Sequence, residues 1–317
     1  MDSEIGKNLG TSLVVPSVQE LAKQPMTKVP ERYLRPIQEQ PRLSNTHSLP
    51  QVPVINLQKL LSEDATELEK LDCAGKEWGF FQLINHGVNP SLVEALKSDV
   101  EDFFNLPIEE KKLFWQKPGD MEGFGQMFVV SEEHKLEWAD LFYILTLPSY
   151  IRNPHLFPTI PQPFRDNLER YSLELKKLCV TIIGLKPHSD VGALTILLQV
   201  NEIEGLQIRK DGMWIPIKPL PEAFIINIGD MLEIMTNGVY RSIEHRATVN
   251  SEQKGISIAT FHSPRLNGVM GPAPSLVTPE RPAMFDKISV QDYIKGYFSR
   301  ELEGKSFIDV IRIQNPE

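Results

Sequence analysis

Between Gly184 and His262 the chain is cut into short β-rich runs, and this spacing leaves room for little besides a small antiparallel sandwich or barrel. The runs are Gly184–Lys186, Ala193–Val200, Leu206–Arg209, Met213–Ile217, Ala223–Ile228, Val239–Val249 and Ile256–His262. Closely spaced strands separated by turn signals predict that architecture. Lys210-Asp-Gly212 reads as a hairpin turn between two of the runs. The preceding signal is helical: Phe164, Leu168, Tyr171, Leu175, Leu178 and Ile182 recur at helical spacing. Only Gly184 separates that helix from the first β run, although a helix-to-strand joint normally needs a cap and a few loop residues.

Earlier in the chain, residues 1–51 are rich in proline and polar residues and read as an extended arm with a short helix near Ser17–Ala22. Val52–Leu57 and Phe80–Ile84 read as strands. Thr66 with Glu69 suggests a capping box opening a helix to Trp78. Asn89-Pro90 opens another, whose Leu92, Val93, Leu96, Val100 and Phe103 form one apolar stripe. Helical periodicity returns from Ser289 to Ile313. The expected organisation is an arm (1–51), a mainly helical region (52–183), a β core (184–264) and a C-terminal loop and helix (265–317).

Composition narrows the function. With 33 Lys+Arg against 42 Asp+Glu the net charge is −9, which argues against general nucleic-acid binding or an electrostatic membrane anchor. No apolar run approaches a membrane span, and the start, with Asp2 and Glu4, does not read as a secretory signal. The two cysteines, Cys73 and Cys179, cannot build a disulfide framework, so a reducing cytoplasmic or nuclear compartment is expected.

Chemistry centres on three residues. His188 and Asp190 stand two apart, so on a strand they share a face; alone, such a pair arises by chance about once in a chain with this many acids. Val239–Val249 supplies the context. Its alternation places Arg241, Ile243, His245, Ala247 and Val249 on one mostly apolar face, with polar residues on the other. Two imidazoles and one carboxylate from neighbouring strands would form the facial triad of non-haem Fe(II) oxygenases, leaving three open positions. Zinc is the competing metal.

Several longer motifs agree. Lys76-Glu-Trp-Gly-Phe-Phe-Gln-Leu-Ile-Asn-His-Gly87, Gly184-Leu-Lys-Pro-His-Ser-Asp190, Tyr240-Arg-Ser-Ile-Glu-His-Arg246 and Ser257-Ile-Ala-Thr-Phe-His262 resemble plant 2-oxoglutarate/Fe(II)-dependent oxygenases. Asp120-Met-Glu-Gly-Phe-Gly-Gln126 and Glu204-Gly-Leu-Gln-Ile208 resemble the specialised-metabolism branch that includes codeine O-demethylase and the flavonoid O-demethylases. The resemblance implies an α+β fold with a double-stranded β-helix (jelly-roll) core, a helical N-terminal region and a C-terminal helix. It further implies Fe(II) on His188, Asp190 and His245, 2-oxoglutarate as co-substrate, and ascorbate as reductant. Hydroxylation or O-demethylation of an alkaloid- or flavonoid-type metabolite would follow, with O2 and the small molecule as partners of a monomeric enzyme.

Two departures stand against that expectation. The family's Arg-x-Ser pair for the distal carboxylate of oxoglutarate reads here Gly255-Ile-Ser257, so the serine is present and the arginine is not. Lys254, Lys186 and Arg241 are the candidate replacement cations; Lys254 is expected on the opposite face. The family also places further helix and one core strand before the metal strand, and here that segment is missing. Phe128, Phe261 and His262 are candidate substrate-pocket walls. The competing reading is a member without oxidative activity: a binding protein, a non-oxidative condensation catalyst or a shortened splice product.

Overall fold

A computed structural model describes residues 12–26, 28–34, 50–117, 120, 122–126, 129, 131–183, 193–250, 253–298 and 307–314. The chain forms two compact units, one of Met1–Gln40, Ser91–Leu173 and Tyr293–Glu303, the other of Pro41–Pro90, Glu174–Asp292 and Gly304–Glu317.

In the first unit the arm is tied down by polar contacts. Helix α1 (Val18–Ala22) has its N-terminus capped by a remote carboxylate: Asp140 accepts the Val18 N–H at 2.8 Å, the Gln19 N–H at 2.9 Å and the Ser17 hydroxyl at 2.8 Å. An anion at a helix N-terminus satisfies donors that have no intrahelical partner. The Ser12 hydroxyl donates to the Gln126 carbonyl.

The second unit carries the β architecture. Strand β1 (Val54–Asn56) is followed at once by α2 (Leu57–Leu61), whose first turn is capped by the Asn56 side chain. Helix α3 (Ala65–Cys73) starts two residues earlier than a Thr66 cap would place it: Asp64 is the cap, accepting the Glu67 N–H at 2.9 Å. A π-helical turn, Ala74–Trp78, then closes on Gly79, and β2 (Phe80–Ile84) follows.

Helix α4 (Pro90–Asn105) buries the expected stripe of Leu92, Val93, Leu96, Val100 and Phe103. After α5 (Ile108–Lys111), the short strands β3 (Gly123–Gly125) and β4 (Leu141–Tyr143) pair with each other. Helix α6 (Gln162–Ile183) buries Phe164, Tyr171, Leu175 and Leu178, as its periodicity predicts. The helix-to-strand joint after Ile183 lies outside the described residues.

Six strands follow: β5 (Leu194–Gln199), β6 (Leu206–Lys210), β7 (Met213–Pro216), β8 (Phe224–Ile228), β9 (His245–Ala247) and β10 (Ser257–His262). The β6–β7 hairpin turns at Asp211 and Gly212, with φ of 50° and 76°, the two left-handed positions a tight hairpin requires. The Val239–Val249 run is strand only over β9. Between β8 and β9 lie α7 (Asp230–Met235) and an irregular stretch. Towards the C-terminus come the paired β11 (Val269–Met270) and β12 (Ile288–Ser289), then α8 (Val290–Phe298) and a 3-10 turn at Ile308–Ile311.

These strands make a five-stranded sheet in the order β1-β2-β8-β5-β10 and a three-stranded sheet in the order β7-β6-β9. The large sheet thus recruits β1 and β2 from the region before the β-rich block. Phe80 and Ile225 of the large sheet pack with Ile208 and Ile215 of the small one. Two sheets sharing an apolar interior in this way form a jelly roll. Central β8 is buried at every position, which is why its sequence, Phe-Ile-Ile-Asn-Ile, shows no alternation.

Candidate active site

Directly opposed residues of neighbouring strands share a face. Phe261, Thr195, Asn227 and Phe80 therefore form one row across the large sheet, and Ala259, Leu197, Ile225 and Gln82 the next. Because Phe80 and Ile225 face the small sheet, these rows look into the jelly roll. On β10, however, Ser257, Ala259 and Phe261 are exposed, Phe261 by 58%. Strand β10 ends the large sheet, and among the described residues nothing pairs with its outer side. Val200 donates to the Ile256 carbonyl and Ala193 to the His262 carbonyl, so the main-chain groups of even-numbered residues face β5. Those of Ser257, Ala259 and Phe261 face the open edge.

His245 opens β9 opposite Ile208, with its ring 5.3 Å from the Phe80 ring, edge to face. Its Nδ1 lies 3.2 Å from the Ile243 carbonyl oxygen. A carbonyl only accepts, so Nδ1 carries the hydrogen and the neutral ring keeps its lone pair on Nε2. The residue retains exposed surface, yet the surrounding protein lowers its pKa. Desolvation is the largest cause, opposed by the Ile243 hydrogen bond and by the charges of Asp230 and Glu244. A neutral imidazole with one nitrogen tied to a carbonyl and the other free is the form that ligates a metal.

The stretch before His245 is seated on several sides. The Arg241 N–H donates to the Gly75 carbonyl at 3.1 Å, and the Tyr240 hydroxyl to Asp72 at 3.1 Å. The Tyr240 ring lies so close to Gly75 that a Cβ there would meet it at 2.9 Å. Residues 240–244 are not strand, so alternation does not place Arg241 on the face of His245; its side chain is exposed. The seat formed by Asp72, Gly75, Gly79 and Glu233 has no sequence signature, because each contact joins residues distant in the chain or passes through the backbone.

Of the other expected residues, His188, Asp190, Lys186 and Phe128 lie outside the described residues. Among the described residues no three His, Cys, Asp or Glu side chains converge on a metal position. Ser257 is exposed on the inner face of β10, opposite Gln199. Gly255 stands two residues before it, where an added Cβ would meet Ile203 at an ordinary 3.6 Å and no left-handed φ is required. A side chain is therefore sterically allowed there.

Phe261 and His262 do not line one wall. Adjacent strand residues point to opposite faces, and His262, opposite Leu194, turns away from Phe261. Its buried Nε2 has no hydrogen-bond partner among the described residues, and burial pushes its pKa down to about 4. An unfolded histidine titrates near 6.5, so on acidification the unfolded chain takes up this proton first. Stability present above about pH 6.5 is lost between pH 6.5 and 4, by at most roughly 3 kcal/mol and less for its residual exposure. His262→Leu should flatten that part of a plot of urea midpoint against pH; an unchanged slope would show that the imidazole is solvated.

Two sheets with a shared apolar interior define the class as a jelly-roll protein. Residues 52–160 match the family described as non-haem dioxygenase in morphine synthesis, N-terminal, and residues 150–264 match the 2OG-Fe(II) oxygenase superfamily. The chain is 47% identical to oxoglutarate-dependent flavonoid 7-O-demethylase 1 of Ocimum basilicum, covering 99% of this chain and 95% of the relative. It is 46% identical to codeine O-demethylase of Papaver somniferum, covering 99% and 100%. The crystal structure of JOX2 in complex with 2OG, Fe and JA superposes with a TM-score of 0.84 at 30% identity, covering 95% and 98%. The chain belongs to the 2OG-Fe(II) oxygenase superfamily, whose members use Fe(II) and 2-oxoglutarate. The alignment with codeine O-demethylase runs over 361 residues, more than the 317 present here. That relative therefore has several tens of positions without a counterpart in this chain.

Proposed function

We propose that this protein is an Fe(II)- and 2-oxoglutarate-dependent oxygenase that hydroxylates or O-demethylates a small plant secondary metabolite of alkaloid or flavonoid type. The observation that carries the reading is near-full-length similarity to two O-demethylases at 46–47% identity. In this reading His188, Asp190 and His245 hold the iron, with the Ile243 carbonyl orienting the His245 ring. Bound iron, with oxoglutarate and O2, supplies the oxidation of an unactivated substrate C–H bond. The Ser257 hydroxyl donates to the distal carboxylate of oxoglutarate, and Arg241 or Lys186 supplies the positive charge that Gly255 lacks. Phe261 offers its ring as an apolar wall, with Phe128 a second; the orientation of His262 speaks against a place for it there. Ascorbate as reductant, a monomeric state and a cytoplasmic location complete the proposal. No described helix is long and apolar enough to cross a membrane.

One observation favours a second reading, a family member that no longer oxidises: the position of the oxoglutarate arginine is occupied by Gly255. Anaerobic titration of the Fe(II)-loaded protein with 2-oxoglutarate separates the two. The first reading expects a visible metal-to-ligand charge-transfer band that saturates at millimolar oxoglutarate. Bound iron with no such band would leave the second.

A further inference from the structure

Resting on the reading of His245 as an iron ligand, we infer that Glu233 is a positioning residue for that ligand, acting through the main chain of Ser242. Glu233 lies on α7 and is only 6% exposed. One carboxylate oxygen accepts the Ser242 N–H at 2.8 Å, and the other lies 3.6 Å from the Arg312 guanidinium. Arg312 is itself held by Asp309 at 2.9 Å and lies over the Phe285 ring, 4.8 Å from its centre.

Burying a carboxylate is unfavourable unless its oxygens are used. The neighbouring amides manage with neutral acceptors: Tyr240 donates to the Thr236 hydroxyl, and Arg241 to the Gly75 carbonyl. At Ser242 a charged acceptor does the same task, and its place in the sequence matters. The next residue is Ile243, whose carbonyl fixes the tautomer and orientation of His245. The connection therefore runs from the Glu233 carboxylate to the Ser242 amide, through the Ile243 peptide and on to His245 Nδ1. If the Ser242 amide is released, the Ile243 carbonyl can rotate and Nε2 loses its set direction. Through Arg312, the C-terminal segment at Ile308–Ile311 contributes to the same support.

The experiment uses the full chain stripped of metal, with Co(II) as the probe and calorimetric titration as the readout. Glu233→Met keeps the volume and removes the acceptor. It should weaken Co(II) binding about 10- to 100-fold, the usual cost of losing a group that orients a ligand. Glu233→Gln retains an oxygen for Ser242 and should restore affinity to within about threefold of the wild type. Amide hydrogen exchange should accelerate at residues 240–247 in Glu233→Met. Wild-type Co(II) affinity in Glu233→Met, with only its urea midpoint lowered, would overturn the inference and leave a structural brace. If Glu233→Met does not fold, Arg312→Met carries the test, with an expected loss of about threefold; unchanged affinity there overturns it equally. His245→Ala should abolish binding. A wild type that ignores Co(II), or a His245→Ala variant that binds undiminished, would instead sink the ligand assignment.

Discussion

Replacing Gly79 with alanine should destabilise the protein by about 2–5 kcal/mol and loosen the seat of His245. Two costs combine. Gly79 has φ of 61°, a conformation that charges an L-residue roughly 1–2 kcal/mol. Its missing Cβ would overlap the Arg241 carbonyl oxygen and stand 2.5 Å from Ile243 Cγ1, and such overpacking typically adds about 1–3 kcal/mol. The backbone there cannot yield cheaply. Gly79 N–H closes the π turn on the Ala74 carbonyl at 2.9 Å, and the Gly79 carbonyl accepts the Ile228 N–H at 2.8 Å. Relief must come from the 241–243 side, which leads to His245. Gly87 is the control: its φ is 76°, but nothing lies within 4 Å of an added Cβ. Gly87→Ala should cost only the conformational part, roughly 1–2 kcal/mol. Urea midpoints decide the matter. Equal losses in the two variants would mean that close packing against Arg241 and Ile243 is not what requires glycine at position 79.

Gly255→Arg should tighten 2-oxoglutarate binding about 10- to 100-fold, the equivalent of one hydrogen-bonded charge contact of roughly 1.5–3 kcal/mol. A guanidinium suits a carboxylate better than an ammonium because it can bind both oxygens at once. A larger gain is not expected, since Ser257, Ala259 and Phe261 are exposed and water competes for the same carboxylate. Sterically the substitution is allowed: the nearest neighbour of the new Cβ is Ile203 at 3.6 Å. Gly255→Lys should recover only part of the effect. Anaerobic calorimetry on the Fe(II)-loaded variants measures both. Affinity that stays flat in Gly255→Arg would shift the fault to the edge of β10, with which no strand pairs on its outer side among the described residues.

The elements most legible in the sequence were those whose burial follows one period. The α4 stripe from Leu92 to Phe103 and the α6 stripe through Tyr171 and Leu175 needed only a count of spacings. The β6–β7 hairpin was legible because Asp211-Gly212 meets a local backbone requirement. Alternation misled over Val239–Val249. Its polar and apolar residues do alternate, but residues 240–244 are held by contacts to Asp72, Gly75 and Glu233, and only His245–Ala247 form strand. The Thr66 capping box failed for a related reason: Asp64 lies two residues earlier and already caps the same turn. Adjacent residues Phe261 and His262 must point to opposite faces of a strand, but only the pairing of β10 with β5 shows which of the two faces looks inward.

By itself the sequence determined the class of fold and the family motifs, and it carried the expectations that His245 is a metal donor and that Gly255 stands where the family has an arginine. Each of these rests on residue type and local spacing, which a one-dimensional pattern carries in full. Only the tertiary structure decided that the Ile243 carbonyl engages Nδ1 of His245, that Glu233 reaches Ser242, and that, among the described residues, β10 ends its sheet with Phe261 exposed. Those facts depend on the direction of single lone pairs and on which strand lies beside which. Such directions are set when distant segments pack against one another, and no spacing along the chain encodes them.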